Sequence, residues 1–281
     1  NTDSGPDFFN GKIELDGIQH SGNIEMHIKS SDWFAHGHQF DEAYNNVMQS
    51  FAIYTALKYF NQLNKKKQDE VLAKLGMSRE EYVVFEERGK DIIQKIYIPY
   101  DKQLKVLWES ENFQERKPIE GLTKPHVAWH ANKIRDEVLV HLGGKPAHQY
   151  QVVRQPDTMM VYVLREVFGE GFEKTMMERM GGVNIFDEEH MEVNRQFYTP
   201  KTSGESTLTF TAMAMYELLS KRIKMGTEKF MTAVRATDVG NKTKVGRQGV
   251  GTANAGGIYY ALVRAFAGVE LRADGIRISP H

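Results

Sequence analysis

The sequence predicts a mainly α chain, with a short β-rich segment over residues 1–40 followed by serial helical hairpins over residues 41–281. Three observations carry that prediction. Apolar residues recur at helical spacing from Ala43 almost to the C-terminus, alternation of period 2 is confined to the first forty residues, and the stretches between helical runs are rich in Gly, Pro and Lys. Composition agrees, since 41% hydrophobic and 26% charged residues with a mean hydropathy of −0.50 describe a globular chain and exclude a disordered or fibrous one.

Taken in order, Gly5, Gly11, Gly17, Gly22 and Gly37 punctuate short alternating runs, Lys12-Ile13-Glu14-Leu15 and Asn23-Ile24-Glu25-Met26-His27-Ile28, which predict a β-hairpin or small sheet. From Asp41 the spacing changes. Ala43-Tyr44, Val47-Met48, Phe51, Tyr54 and Leu57 to Phe60 keep apolar groups on one face, as an amphipathic helix requires. Further helices are expected at about 66–75, 79–96, 127–141, 156–168, 171–180, 187–196, 206–222, 226–236 and 252–267, with loops at 97–126, 142–155, 197–205 and 239–251. Ser78 before Arg79-Glu80-Glu81 forms a capping box, in which the hydroxyl takes an orphan N–H and Glu81 reaches back. Pro156 suits a first helical turn. Such a series of helices fits an α/α toroid or a solenoid, and periodicity does not choose between them.

Charge and cysteine content narrow the function. Thirty-six basic against 37 acidic residues leave a net charge of −1, too little field to hold a phosphate backbone or an anionic membrane, so neither nucleic acid nor membrane is an expected partner. The absence of Cys removes disulfides, thiolate metal sites and a Cys nucleophile, leaving carboxylates, His, Ser, Thr, Tyr or a bound ion to do any chemistry. No run approaches the roughly 18 apolar residues of a membrane span, so a soluble chain is expected, while the compartment stays undetermined with the cytoplasm favoured. The start Asn1-Thr2-Asp3-Ser4-Gly5-Pro6 reads as a piece cut from something longer.

Three strings carry chemistry. Phe197 to Thr209 holds five hydroxyl residues besides Tyr198 and Thr209, together with Glu205, and runs straight into a helix, so hydroxyls and N–H groups meet at a positive helix end that suits an oxyanion or an oriented water. The plainer reading is an N-cap with a polar entry loop, Ser206 capping. Gln151-Val152-Val153-Arg154-Gln155-Pro156-Asp157 sets Arg and Gln forks before a very apolar helix, where they suit sugar hydroxyls. Gln248 to Tyr260 has glycines before an aromatic helix. It is no nucleotide fingerprint, because no strand precedes it, and Gly256-Gly257 suits close helix packing.

In this order the strings resemble glycoside hydrolase family 65, the maltose, trehalose, kojibiose and nigerose phosphorylases and hydrolases, from about Asp41 onward. Ala43-Tyr44-Asn45-Asn46-Val47 is similar to the family's N-N-A-Y-T-N-V, Lys95 to Asp101 to K-M-Y-I-P-Y-D, Val153 to Asp157 to V-K-Q-A-D, and Tyr198 to Thr202 to Y-E-P-R-T. Ala253 to Gly257 with Phe266 to Val269 is similar to the closing helix. The resemblance implies the later half of an (α/α)6 toroid that cleaves an α-linked glucose disaccharide with inversion. Arg154, Gln155, Lys201, Ser206 and Thr207 would then contact substrate. No cofactor is implied beyond inorganic phosphate in a phosphorylase, and no metal.

Two departures matter. The family's phosphate-binding loop reads H-x-S-S-L-S, but Gly204 stands at the His position, with Glu205 beside the hydroxyl pair Ser206-Thr207. Inverting hydrolysis needs a second carboxylate, roughly 6.5–9.5 Å from the acid, to deprotonate water. Glu205 is therefore the candidate general base, and hydrolysis is expected over phosphorolysis. The family's general acid lies in G-P-D-E-Y-H-E. That stretch is absent here, as is R-G-H-x-F-W-D, and the nearest acids, Asp32, Asp41 and Glu42, do not match, so the acid is unassigned.

Over about the first 47 residues the chain resembles instead an uncharacterised bacterial family with G-P-D-F-x-N-A, G-N-V-E-I-H and S-S-D-W-x-x-H-G-H, so it reads as a splice of two beginnings and ends. Asp7, Glu25, His27, His36 and His38 could ligate a divalent ion, with a faint similarity to P-D…(D/E)-x-K nucleases in which His27 takes the lysine position and Lys29 follows. Solvated strand charges are the expected reading, and a tight cage is not. The rival to catalysis is a helical domain lacking its catalytic half, a fragment or an artificial recombination, whose exposed apolar faces offer a route to homo-oligomers.

Overall fold

A computed structural model describes residues 8–15, 18–24, 42–118, 150–153, 156–202, 207–236, 252–272 and 275–280. The expected helix at 127–141 lies outside them. The N-terminal alternation forms an antiparallel hairpin of β1 (Phe8–Leu15) and β2 (Ile18–Ile24), with Leu15 opposite Ile18 and Gly11 opposite Gly22. Then come α1 (Glu42–Gln62), α2 (Lys65–Leu75) and α3 (Arg79–Lys95). The Ser78 capping box is present, its hydroxyl accepting from Glu81 N at 3.1 Å while the Glu81 carboxylate accepts from Ser78 N at 2.7 Å.

The stretch expected as a loop at 97–126 contains a small hairpin, β3 (Tyr100–Asp101) and β4 (Val106–Leu107), and a 3-10 turn at Phe113–Glu115. Its strands are too short for a sequence pattern, and tertiary contacts hold them. Asn194 accepts from Leu107 N and donates to Lys105 O, and the Tyr198 hydroxyl donates to Leu107 O.

Next are α4 (Asp157–Val163), α5 (Arg165–Arg179) and α6 (Glu188–Tyr198). Pro156 stands just before α4, its carbonyl accepting the first helical bond from Met160 N. The expected helix 156–168 is interrupted at Leu164, and the break expected between it and the helix at 171–180 falls at Gly169, whose φ of 70° and ψ of 161° are open to glycine and costly for other residues. Last come α7 (Thr207–Leu219), α8 (Ile223–Ala236) and α9 (Thr252–Tyr260), which runs on as a π-helix over Ala261–Phe266. Beyond the expected helical end a further hairpin forms, β5 (Val269–Arg272) with β6 (Gly275–Ile278).

Burial sorts the helices into layers. From Thr209 to Leu218 every residue of α7 is buried, and in α4 so are Thr158, Met159, Val161, Tyr162 and Val163. A helix apolar all round belongs inside. These two run the same way, with Tyr162 meeting Tyr216 edge-on at 6.0 Å. α9 joins them, since Thr211 near the start of α7 hydrogen-bonds Asn254 near the start of α9. A Cβ on Gly257 would come within 2.6 Å of the Thr211 methyl, so the close packing expected of the glycine pair belongs to Gly257, whereas Gly256 faces open space.

Around this layer α8 turns back along α7, tied by Lys229 to Glu217 at 2.7 Å. α6 joins the same cluster through Glu192, Arg195 and Arg222. On α9 the outer side is as apolar as the inner. Ala255, Tyr259 and Leu262 follow at helical spacing and are exposed, Tyr259 by 71%.

Candidate functional site

Four helices begin at one end of the layer, and short backbone contacts gather the segments that enter them. Ala43 N, in the first turn of α1, donates to Glu109 O at 3.2 Å. Gln151 N donates to Lys117 O at 2.8 Å, and Val153 N to Lys201 O at 3.0 Å, forming a parallel bridge from Val153 to Thr202. The residues leading to Arg154 and those leading to Glu205 therefore touch. With the Thr211 to Asn254 bond and the Tyr44 to Asp157 interaction, these contacts bring the starts of α1, α4, α7 and α9 to the same end of the layer. Helix starts present unsatisfied N–H groups and partial positive charge, a setting for sugar hydroxyls or an oxyanion.

Of the residues singled out from the sequence, Arg154, Gln155, Glu205 and Ser206 lie outside the described residues, as do Asp7, Glu25, His27, His36 and His38. Thr207 is the first residue of α7, and its side chain is also outside that set. Lys201 is described. Its ammonium sits 3.8 Å over the Phe197 ring and donates to Phe197 O at 3.1 Å, closing the end of α6, and burial lowers its pKa. Among the described residues no three His, Asp or Glu side chains converge on a metal position, and no helix is long and apolar enough to cross a membrane.

The structure adds polar groups that sequence reasoning missed. Glu109 and Arg116, 7% and 9% exposed, form a buried ion pair at 2.6 Å, and Arg116 also donates to Ser110 Oγ at 2.6 Å while stacking on Phe113. Tyr44 and Asp157 face each other across the first turns of α1 and α4. Burial first, then the Asp157 charge, raises the Tyr44 pKa. Thr209 Oγ1 and Asn254 Nδ2 are buried in the first turns of α7 and α9 without hydrogen-bond partners among the described residues. The one cue to the first pair was the charged, aromatic run Glu109 to Arg116 in an apparent loop.

The chain is similar to disaccharide phosphorylases of glycoside hydrolase family 65. It is 25% identical over 248 residues to a kojibiose phosphorylase of Caldanaerobacter subterraneus subsp. tengcongensis, covering 86% of this chain and 28% of that protein. It is 23% identical over 240 residues to an α,α-trehalose phosphorylase of Geobacillus stearothermophilus, covering 84% and 28%.

A solved structure from the human microbiome, provisionally assigned as a kojibiose phosphorylase, matches 86% of this chain and 28% of its own, with a TM-score of 0.59 and 19% identity, which establishes the mainly α fold. The chain thus spans little more than a quarter of these relatives. Residues 1–74 match a different family, described as a protein of unknown function (DUF2851). That match runs past the expected 47 residues, through α1 and to the last turn of α2.

Proposed function

We propose that the chain supplies the later half of a catalytic domain that cleaves an α-linked glucose disaccharide with inversion, with water attacking in place of phosphate. The observation that supports this is the Val153 to Lys201 contact, which joins the segment entering α4 to the segment that follows α6. In this reading Arg154 and Gln155 hold the sugar, Lys201, Ser206 and Thr207 line the same side, and Glu205 is the general base. The Glu205 charge repels a phosphate dianion, and Gly204 lacks the donor that would hold one. Residues 1–40 are a separate β-rich segment and 41–281 the toroid-like domain. Phosphorolysis is the second reading, supported by the names of the relatives.

The test is a scan of α-linked glucose disaccharides with and without phosphate, measuring glucose and glucose 1-phosphate. Free glucose without phosphate is expected, and Glu205→Gln is expected to slow its release on the order of 10²-fold. Phosphate-dependent glucose 1-phosphate would reject Glu205 as base. Inactivity on every disaccharide would favour the non-catalytic domain.

A further inference from the structure

The N-terminal end of α6 carries a second cluster of reactive side chains, roughly 16 Å along the helix from its Tyr198 end by helical rise. Asp187 caps the helix, and its Oδ1 accepts both the His190 backbone N–H at 2.8 Å and, at 2.7 Å, His190 Nδ1. A carboxylate at that position fixes the proton of a neutral imidazole on Nδ1, leaving the Nε2 lone pair free. That lone pair lies 2.7 Å from the Tyr100 hydroxyl. His190 is buried, Tyr100 is half-buried, and the Asp187 side chain is 40% exposed, so the row opens toward solvent at both ends while its base is shielded.

A hydroxyl, a base within hydrogen-bond reach and a third group orienting the base make up the arrangement of an activated nucleophile. We propose that Tyr100, His190 and Asp187 form an acyl-accepting site for a neutral activated ester. The phenol oxygen bonds to the ester carbonyl carbon, its proton passes to His190 Nε2, and the ester C–O bond breaks. The leaving oxygen then departs with the proton that His190 returns.

The surroundings select the electrophile. The charges of Asp187, Asp101 and Glu189 all act on the Tyr100 phenol and raise its pKa after burial does. They keep the phenol protonated at rest, so the base is needed at the moment of attack, and they repel an anionic phosphoryl donor. Lys105 is already engaged by Glu189 at 2.6 Å. The disaccharide reading plays no part in this site.

The chain is to be treated with p-nitrophenyl acetate and acetyl-tyrosine mapped by mass spectrometry, with the 71% exposed Tyr259 as internal reference. Tyr100 is expected to acetylate on the order of 10²-fold faster than Tyr259, the scale of general-base assistance. His190→Gln should bring it down to the Tyr259 rate, and Tyr100→Phe should remove the fast release of p-nitrophenol. If Tyr100 reacts no faster than Tyr259, or if His190→Gln keeps the full rate, the proposal is wrong. The wild-type comparison decides the matter even if the His190 variant does not fold.

Discussion

Replacing Lys229 by Met is expected to destabilise the chain by about 3 kcal/mol. Lys229 and Glu217 are 3% and 0% exposed and pair at 2.7 Å. Removing one partner of a buried pair typically costs ~3–5 kcal/mol, because the other charge is left in a poor solvent. Two features place this case at the lower end. The Met side chain fills much of the volume of the lysine stem, and Arg195 and Arg222 remain 3.7 Å from the Glu217 carboxylate.

At roughly 2–4 °C per kcal/mol for a chain of about this size, the melting temperature should fall by ~6–12 °C. Removing the stranded charge as well, in Lys229→Met with Glu217→Leu, should recover at least half of the loss, since a buried pair replaced by apolar groups is often neutral. Far-ultraviolet circular dichroism under urea and heat reads both variants. A single-variant loss below about 1 kcal/mol, the worth of a surface pair, would refute the reasoning, as would a double variant no better than the single.

Other expectations bear on neighbouring features. Hydrogen bonding to Arg195 leads in holding the Glu192 pKa down at about 2 from its ordinary 4.5, so Glu192 adds stability above pH 4.5 that is lost as the pH falls toward 2. Glu192→Gln should flatten that limb of a urea-midpoint titration. Gly257→Ala should cost ~1–3 kcal/mol by pressing a methyl into Thr211, and thermal melts would show it. Ser78→Ala should cost about 1 kcal/mol and speed amide exchange in the first turn of α3, leaving α7 protected.

What the sequence disclosed follows from how local each signal is. The Ser78 box needs only four consecutive residues, and the apolar spacing of α1 and α6 needs only one helix, so both read directly from the chain. The β3–β4 hairpin exists because Asn194 and Tyr198, some ninety residues away, hold its backbone, and no window of sequence contains both sides of that contact. The Glu109 to Arg116 pair is buried by the folded chain, where Ala43 N of α1 donates to Glu109 O, and burial of that kind has no local signature in the sequence. The strings around Arg154 and Glu205 were recognisable as motifs. Their adjacency was not, because the Val153 to Lys201 bond joins backbone atoms and leaves no mark on residue identity.

The outer side of α9 has a practical consequence. Ala255, Tyr259 and Leu262 give the folded chain a greasy strip that a fluorescent hydrophobic probe such as ANS can occupy. Bright probe emission at room temperature would then report a native surface and not a loosened interior. A dye-based melt of this chain should start from a high baseline and lose contrast, and Tyr259→Ser should restore it without moving the circular-dichroism midpoint.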